Sequence, residues 1–178
     1  MKHVRLFGLA ALALLASVAH AGDLKSVVPM VETMAANAAV VDAVASQNSQ
    51  GMTLDAIKAT DTEWQAGGAA ATVSANLENA AAAALKTAMA DKPYLVEGIL
   101  TDNQGANVAM TQKTSDYWQG DEPKFIKAWA DGKGDVYISR PKRDESTGEV
   151  IAQISVPVRK DGAAIGTLTI GVVVDKIP

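Results

Sequence analysis

Cysteine is absent from this chain, and its two histidines, His3 and His20, both fall in an N-terminal leader-like stretch. Beyond that stretch there is no thiolate nucleophile, no imidazole base and no means of building a zinc site of the usual nitrogen and sulfur type. Disulfides are excluded as well, so the fold must hold by its core alone. A basic excess is also lacking. The chain carries 16 Lys and Arg against 20 Asp and Glu, and its one local basic cluster, Arg140, Lys142 and Arg143, is flanked by Asp144, Glu145 and Glu149. Nucleic acid is therefore not an expected partner. After the leader no apolar run is long enough for a membrane span.

The leader has a readable grammar. Lys2 and Arg5 form a positive start, Leu6 to Val18 is apolar, and Ala19-His20-Ala21 offers small residues at the cleavage positions. At roughly 13 residues the apolar run falls short of the ~20 that cross a bilayer. Residues 1–21 thus read as a cleaved signal peptide, and the expected location is the periplasm. Cleavage leaves 14 basic against 20 acidic residues, a formal charge of −6, on a chain suited to one domain of average size.

Residues 22–91 read as a helical segment. Val31, Met34, Ala38, Val41 and Ala45 draw one apolar stripe that Asn48 to Gly51 interrupts. Thr53 then caps a short helix with Asp55 in its first turn, and Val73, Leu77, Ala81, Leu85 and Met89 mark a third. Residues 92–178 change character. Strands are expected at Leu95 to Thr101 and Asn107 to Thr111, joined by the turn Asp102 to Gly105. After a long connection a helix starts at Pro123, and strands follow at Asp135 to Ser139, Val150 to Val158 and Ile165 to Val174. In the last two, alternation sets Ala152, Ile154 and Val156 against Gln153 and Ser155, and Leu168, Ile170 and Val172 against Thr167, Thr169 and Gly171. One face suits helix packing and the other a cavity. The expected fold is α+β: a five-stranded antiparallel PAS-like sheet with the long N-terminal helices on one face, forming one globular unit.

The segments SDYWQGDEPKF (Ser115 to Phe125), RDESTGE (Arg143 to Glu149), ISVPV (Ile154 to Val158) and IGTLTIGV (Ile165 to Val172) together resemble the extracytoplasmic Cache (PDC) sensor domains. The likeness covers about Thr53 to Asp175. It implies a binding domain for a small polar metabolite (an amino acid, amine or carboxylate) held on one side of the sheet under the long loop. Because the chain stops at Pro178, directly after the last strand, the expectation is that it presents its ligand state to a separate membrane receptor or kinase. The alternative is a ligand-free structural or dimerisation module, with a homodimer formed through the helical stripes.

Within that frame Tyr117 and Trp118 offer aromatic walls with polar handles, and Asp116 and Asp121 offer counter-charge for an amine. Tyr137 stands beside Arg140, whose guanidinium can clamp a carboxylate through paired hydrogen bonds. Gln153 and Ser155 supply further polar groups from the mixed face. Trp64 and Trp129 read as core residues, Glu122 as a helix-start charge and Asp102 as a turn former. Asp144, Glu145, Ser146 and Glu149 miss the spacing of a calcium loop, so neither metal nor cofactor is expected. No pair of carboxylates has a defined separation across a cleft, and an enzyme is not expected.

Overall fold

The computed structural model describes residues 23–145 and 147–178; the expected signal peptide, residues 1–21, lies outside the described residues. The helical stripe across Val31 to Ala45 is split. Helices α1 (Leu24–Ala35) and α2 (Ala38–Ser49) meet at a 64° bend. The cause is Asn37, which is extended (φ −61°, ψ 133°) and accepts a hydrogen bond from Ala39 N at 2.9 Å. An asparagine side chain that satisfies the free amides of a new helix start competes with continuation of the old helix. The same happens at Asn79, which divides the predicted Val73–Met89 helix into α4 (Ala70–Glu78) and α5 (Ala80–Met89) and accepts from Ala82 N. Between these pairs, α3 (Leu54–Gln65) starts at the expected Thr53 cap. Among the described residues no single helix is long and apolar enough to cross a membrane.

The sheet contains β1 (Leu95–Thr101), β2 (Asn107–Met110), β3 (Tyr137–Ile138), β4 (Lys142–Arg143), β5 (Val150–Lys160) and β6 (Ala163–Val173), with α6 (Pro123–Trp129) between β2 and β3. Its order is β2-β1-β6-β5-β3, all antiparallel, with β4 added on β5. The antiparallel pairing agrees with the expected PAS-like sheet. Two corrections apply. The sheet has six strands rather than five, because Lys142 and Arg143 pair with Ile151 and Val150 at the start of a segment read as turn. The third strand also contracts to Tyr137–Ile138. The β5–β6 hairpin closes through Asp161 (φ 51°) and Gly162 (φ 83°), the paired positive φ of a tight turn that matches sheet twist.

Alternation places the core where it was expected. Ala152, Ile154, Val156 and Val158 of β5 and Leu168, Ile170 and Val172 of β6 are buried against Val27, Val31 and Met34 of α1, Val40 and Val44 of α2, and Leu85 of α5. Each fully buried large aliphatic side chain contributes about 1.5–3 kcal/mol. A smaller cluster lies at the β2 edge, where Ile57 and Trp64 of α3 meet Ala106, Met110 and Tyr117. Asn79 ties the layers together, since its Nδ2 also donates to Val108 O at 2.8 Å. Asn79→Ala removes a helix cap and leaves a strand carbonyl unmet, an expected loss of about 2 kcal/mol. Thermal unfolding should then show a melting temperature lower by roughly 4–8 °C; an unchanged value would refute the role of Asn79 as a joint.

Candidate functional site

The helices cover one face of the sheet, and α6 covers part of the other. Beneath α6, Ser155 and Thr169 are buried side by side with their hydroxyls 2.8 Å apart. The uncovered remainder of this face forms the floor of a cavity of about 860 Å³. Its walls are the start of α6, the first half of β1, and the β3–β4 segment, with Ile151 and Gln153 rising from β5.

A bulge shapes the floor. Leu95 pairs with Val172 and Glu97 with Gly171, so Val96 is an extra residue on β1. Such an insertion re-aims side chains, and here the consecutive residues Val96 and Glu97 both border the cavity. Gly171 opposite makes room for them. A Cβ there would stand 3.2 Å from Glu97 Cβ and 3.4 Å from Val96 Cγ2. On its other side Gly171 pairs with Gln153, so Glu97, Gly171 and Gln153 form one row across three strands.

The electrostatics of this row are uneven. Lys124 is 7% exposed, and its Nζ lies 2.6 Å from Glu122 Oε2. Glu97 is half-buried, and among the described residues its carboxylate makes no hydrogen bond or salt bridge. Burial pushes its carboxyl above the usual range, Lys124 pulls it back in part, and Glu122 adds to the rise. Across the cavity stand Arg140, Lys142 and Arg143. Tyr137 shows its ring to Lys127, whose Nζ is 4.6 Å from the centroid. Ser139 holds the wall to β5, donating from its N to Gln153 O and accepting from Gln153 N on its Oγ, both at 2.8 Å.

The eight residues singled out from the sequence therefore separate in space. Tyr137, Arg140 and Gln153 line this cavity, and Ser155 is sealed on the same face under α6. Asp116, Tyr117 and Trp118 stand at the opposite, β2 edge of the sheet, where Trp118 bridges to Ala106. Asp61 of α3 pins that loop by accepting from Tyr117 N at 2.7 Å and Trp118 N at 3.1 Å. The Tyr117 ring packs 5.6 Å from Trp64 and is 3% exposed. Burial, with the charge of Asp102, pushes its phenol up to about 12. It touches a smaller cavity of about 370 Å³ bordered by Gln47, Met52 and Asn76. Trp118 Nε1 donates to Gln104 O at 2.8 Å, and Lys58 lies over its ring. The backbone carbonyl of Asp116 collects Asn107, Thr114 and Gln119, while Asp121 is exposed and lines neither cavity.

Sequence reasoning missed Glu97 and Lys124. Their signal was present: LVEGILT keeps apolar residues at 95, 96, 99 and 100, which breaks the period of two and marks a bulge. Among the described residues no group of three or more metal-binding side chains converges.

A PAS-like sheet with an open cavity on its helix-free half is an arrangement suited to holding a small molecule. No family profile matches the chain, and no curated protein does. Among solved structures it is similar to the ligand-binding domain of the Pseudomonas aeruginosa PAO1 amino acid chemoreceptor PctC in complex with GABA, at 20% identity and TM-score 0.40 over 51% of this chain and 42% of that one. It is also similar to the sensor domain of the Vibrio cholerae histidine kinase DctB, at 12% identity and TM-score 0.42 over 84% and 48%. A third is the ligand-binding domain of the Campylobacter jejuni chemoreceptor Tlp3 in complex with L-norvaline, at 15% identity and TM-score 0.43 over 83% and 57%. The chain thus spans about half the length of these structures.

Glu97 gives the ligand-free protein a pH signature. Its carboxyl titrates higher folded than unfolded, so its contribution to stability is complete below the ordinary value of 4.5 and is lost as pH rises through the folded value. Urea unfolding at a series of pH values should show that loss in the wild type and a flatter profile in Glu97→Gln. Identical profiles would mean that the carboxyl is not strained by burial.

Proposed function

We propose that this protein is a periplasmic sensor domain that binds a small polar metabolite in the cavity between α6 and the β3–β4 wall and presents its occupancy to a separate membrane receptor or kinase. The observation that carries this reading is the cavity itself, because it gathers Tyr137, Arg140 and Gln153 on the face opposite α1, α2 and α5. Small-molecule sites combine an apolar surface with a few placed polar groups, and each of the three has a part. Tyr137 supplies a flat wall, Arg140 pairs with a ligand carboxylate, and Gln153 donates or accepts beside it. Tyr117 and Trp118 support the site from a distance by fixing the connection that leads into α6. A bound molecule touching both α6 and β3–β4 favours the state in which those walls are closed, a population shift that changes the outer surface.

The dimerisation alternative draws less support. Of the stripe on which it would rest, Val31 and Met34 are buried in the core and Val41 packs partly against it, which leaves only Ala38 exposed and Ala45 half-buried.

The test is a thermal-shift screen of the purified protein against amino acids, amines and small carboxylates. A ligand at about 100 times its dissociation constant adds ~2.7 kcal/mol of stability, a shift of several degrees. Arg140→Ala should weaken any carboxylate-bearing hit roughly tenfold or more and leave the unliganded melting temperature unchanged. Silence across the panel would instead favour the ligand-free module.

A further inference from the structure

Among the described residues that line the cavity Lys124 is the one buried cation, and it is committed to Glu122 at 2.6 Å. Glu97 stands near this pair, whose charges both act on it, as a second carboxylate that among the described residues has no hydrogen bond or salt bridge of its own. The chain goes to some length to put it there. Val96 is inserted into β1, and a side chain is omitted at Gly171 directly opposite. A half-buried carboxylate with no matching donor is unfavourable, and such local strain gathers at functional sites. From these placements we infer that Glu97 is the residue that receives the positively charged amino group of the ligand, so that the site selects amine-bearing molecules.

This inference rests on the binding reading above and adds the polarity of the ligand to it. The row Glu97–Gly171–Gln153 spans two strand spacings, roughly 9.6 Å between the outer backbones. A short molecule with its ammonium at Glu97 then directs its other end to Gln153 and to Arg140 and Lys142 on the far wall. The ammonium supplies Glu97 with the donors that it lacks and balances the two carboxylates against two cations at the inner end. Charged groups facing Glu97 come from each surrounding element: Glu122, Lys124 and Lys127 from the α6 side, and Arg140, Lys142, Arg143 and Asp144 from the β3–β4 side. Burial raises the Glu97 carboxyl above the usual range, so acidification discharges it sooner than an exposed carboxylate and should weaken ammonium binding.

The test uses matched probes on the purified protein. L-alanine, β-alanine, 5-aminopentanoate and putrescine carry amino groups, while propionate and succinate do not. Wild-type protein should bind at least one amine probe, with affinity falling as pH is lowered from 7 to 5. In Glu97→Gln that affinity should drop about 30-fold or more, about 2 kcal/mol, and lose its pH dependence, while the ligand-free variant melts no lower than the wild type. A merely structural glutamate would do the reverse, lowering stability without a selective effect on amines. Wild-type binding of propionate or succinate in preference to the amines, or undiminished amine binding by Glu97→Gln, overturns the inference and leaves the sensor reading standing. Binding of none of the six overturns both.

Discussion

The constraint on which the rest depends is the unequal covering of the two sheet faces. Ile154, Val156, Leu168 and Ile170 are fully buried beneath α1, α2 and α5, and that contact supplies most of the aliphatic burial in the domain. With this face sealed, the other need not serve the core. It can carry Gln153, Ser155, Thr167, Thr169 and Gly171 at positions where a two-sided core would demand large apolar groups. The short helix α6 covers half of that polar face, so the cavity is what the packing leaves over. The apolar core and the open cavity thereby fall on opposite sides of the same hairpin.

Much of this was legible in the sequence because it follows from period. The alternation of β5 and β6 assigned their faces correctly, and Thr53 and Pro123 marked real boundaries. Errors came where one residue overrides a pattern. Asn37 and Asn79 look like ordinary helix residues inside an apolar stripe, yet each caps a new helix. The asparagine at 79 also donates to a strand 29 residues away, a fact no local window contains. The site was half legible. Tyr137, Arg140 and Gln153 fell together because β3 pairs with β5. Tyr117 and Trp118 went to the opposite edge because strand order, invisible along the chain, separates β2 from β3 by three strands.

Among the described residues there is no histidine or cysteine, so the character of the cavity rests on the placement and partial burial of ordinary charges. Lys124 is neutralised locally by Glu122, two positions away in sequence. Arg140 and Lys142 stay exposed on the rim, where water screens them. Glu97 is half-buried, and among the described residues its carboxylate has no hydrogen bond or salt bridge, with Lys124 acting on it only through its charge.

The sheet edges carry a consequence for the behaviour of the protein in concentrated solution. An open strand edge invites pairing with a second molecule. Here the β2 edge is bridged by Trp118 and its carbonyls accept from Asn76 and Asn79, while the other margin is divided into β3 and β4, each two residues long. Lys142 and Arg143 form the second of these short pieces, so the cations at the rim of the cavity also place like charge on the exposed margin. The same two side chains thus shape the rim of the cavity and guard the open margin, and neutralising them would remove the like-charge repulsion that keeps copies of the domain from pairing there.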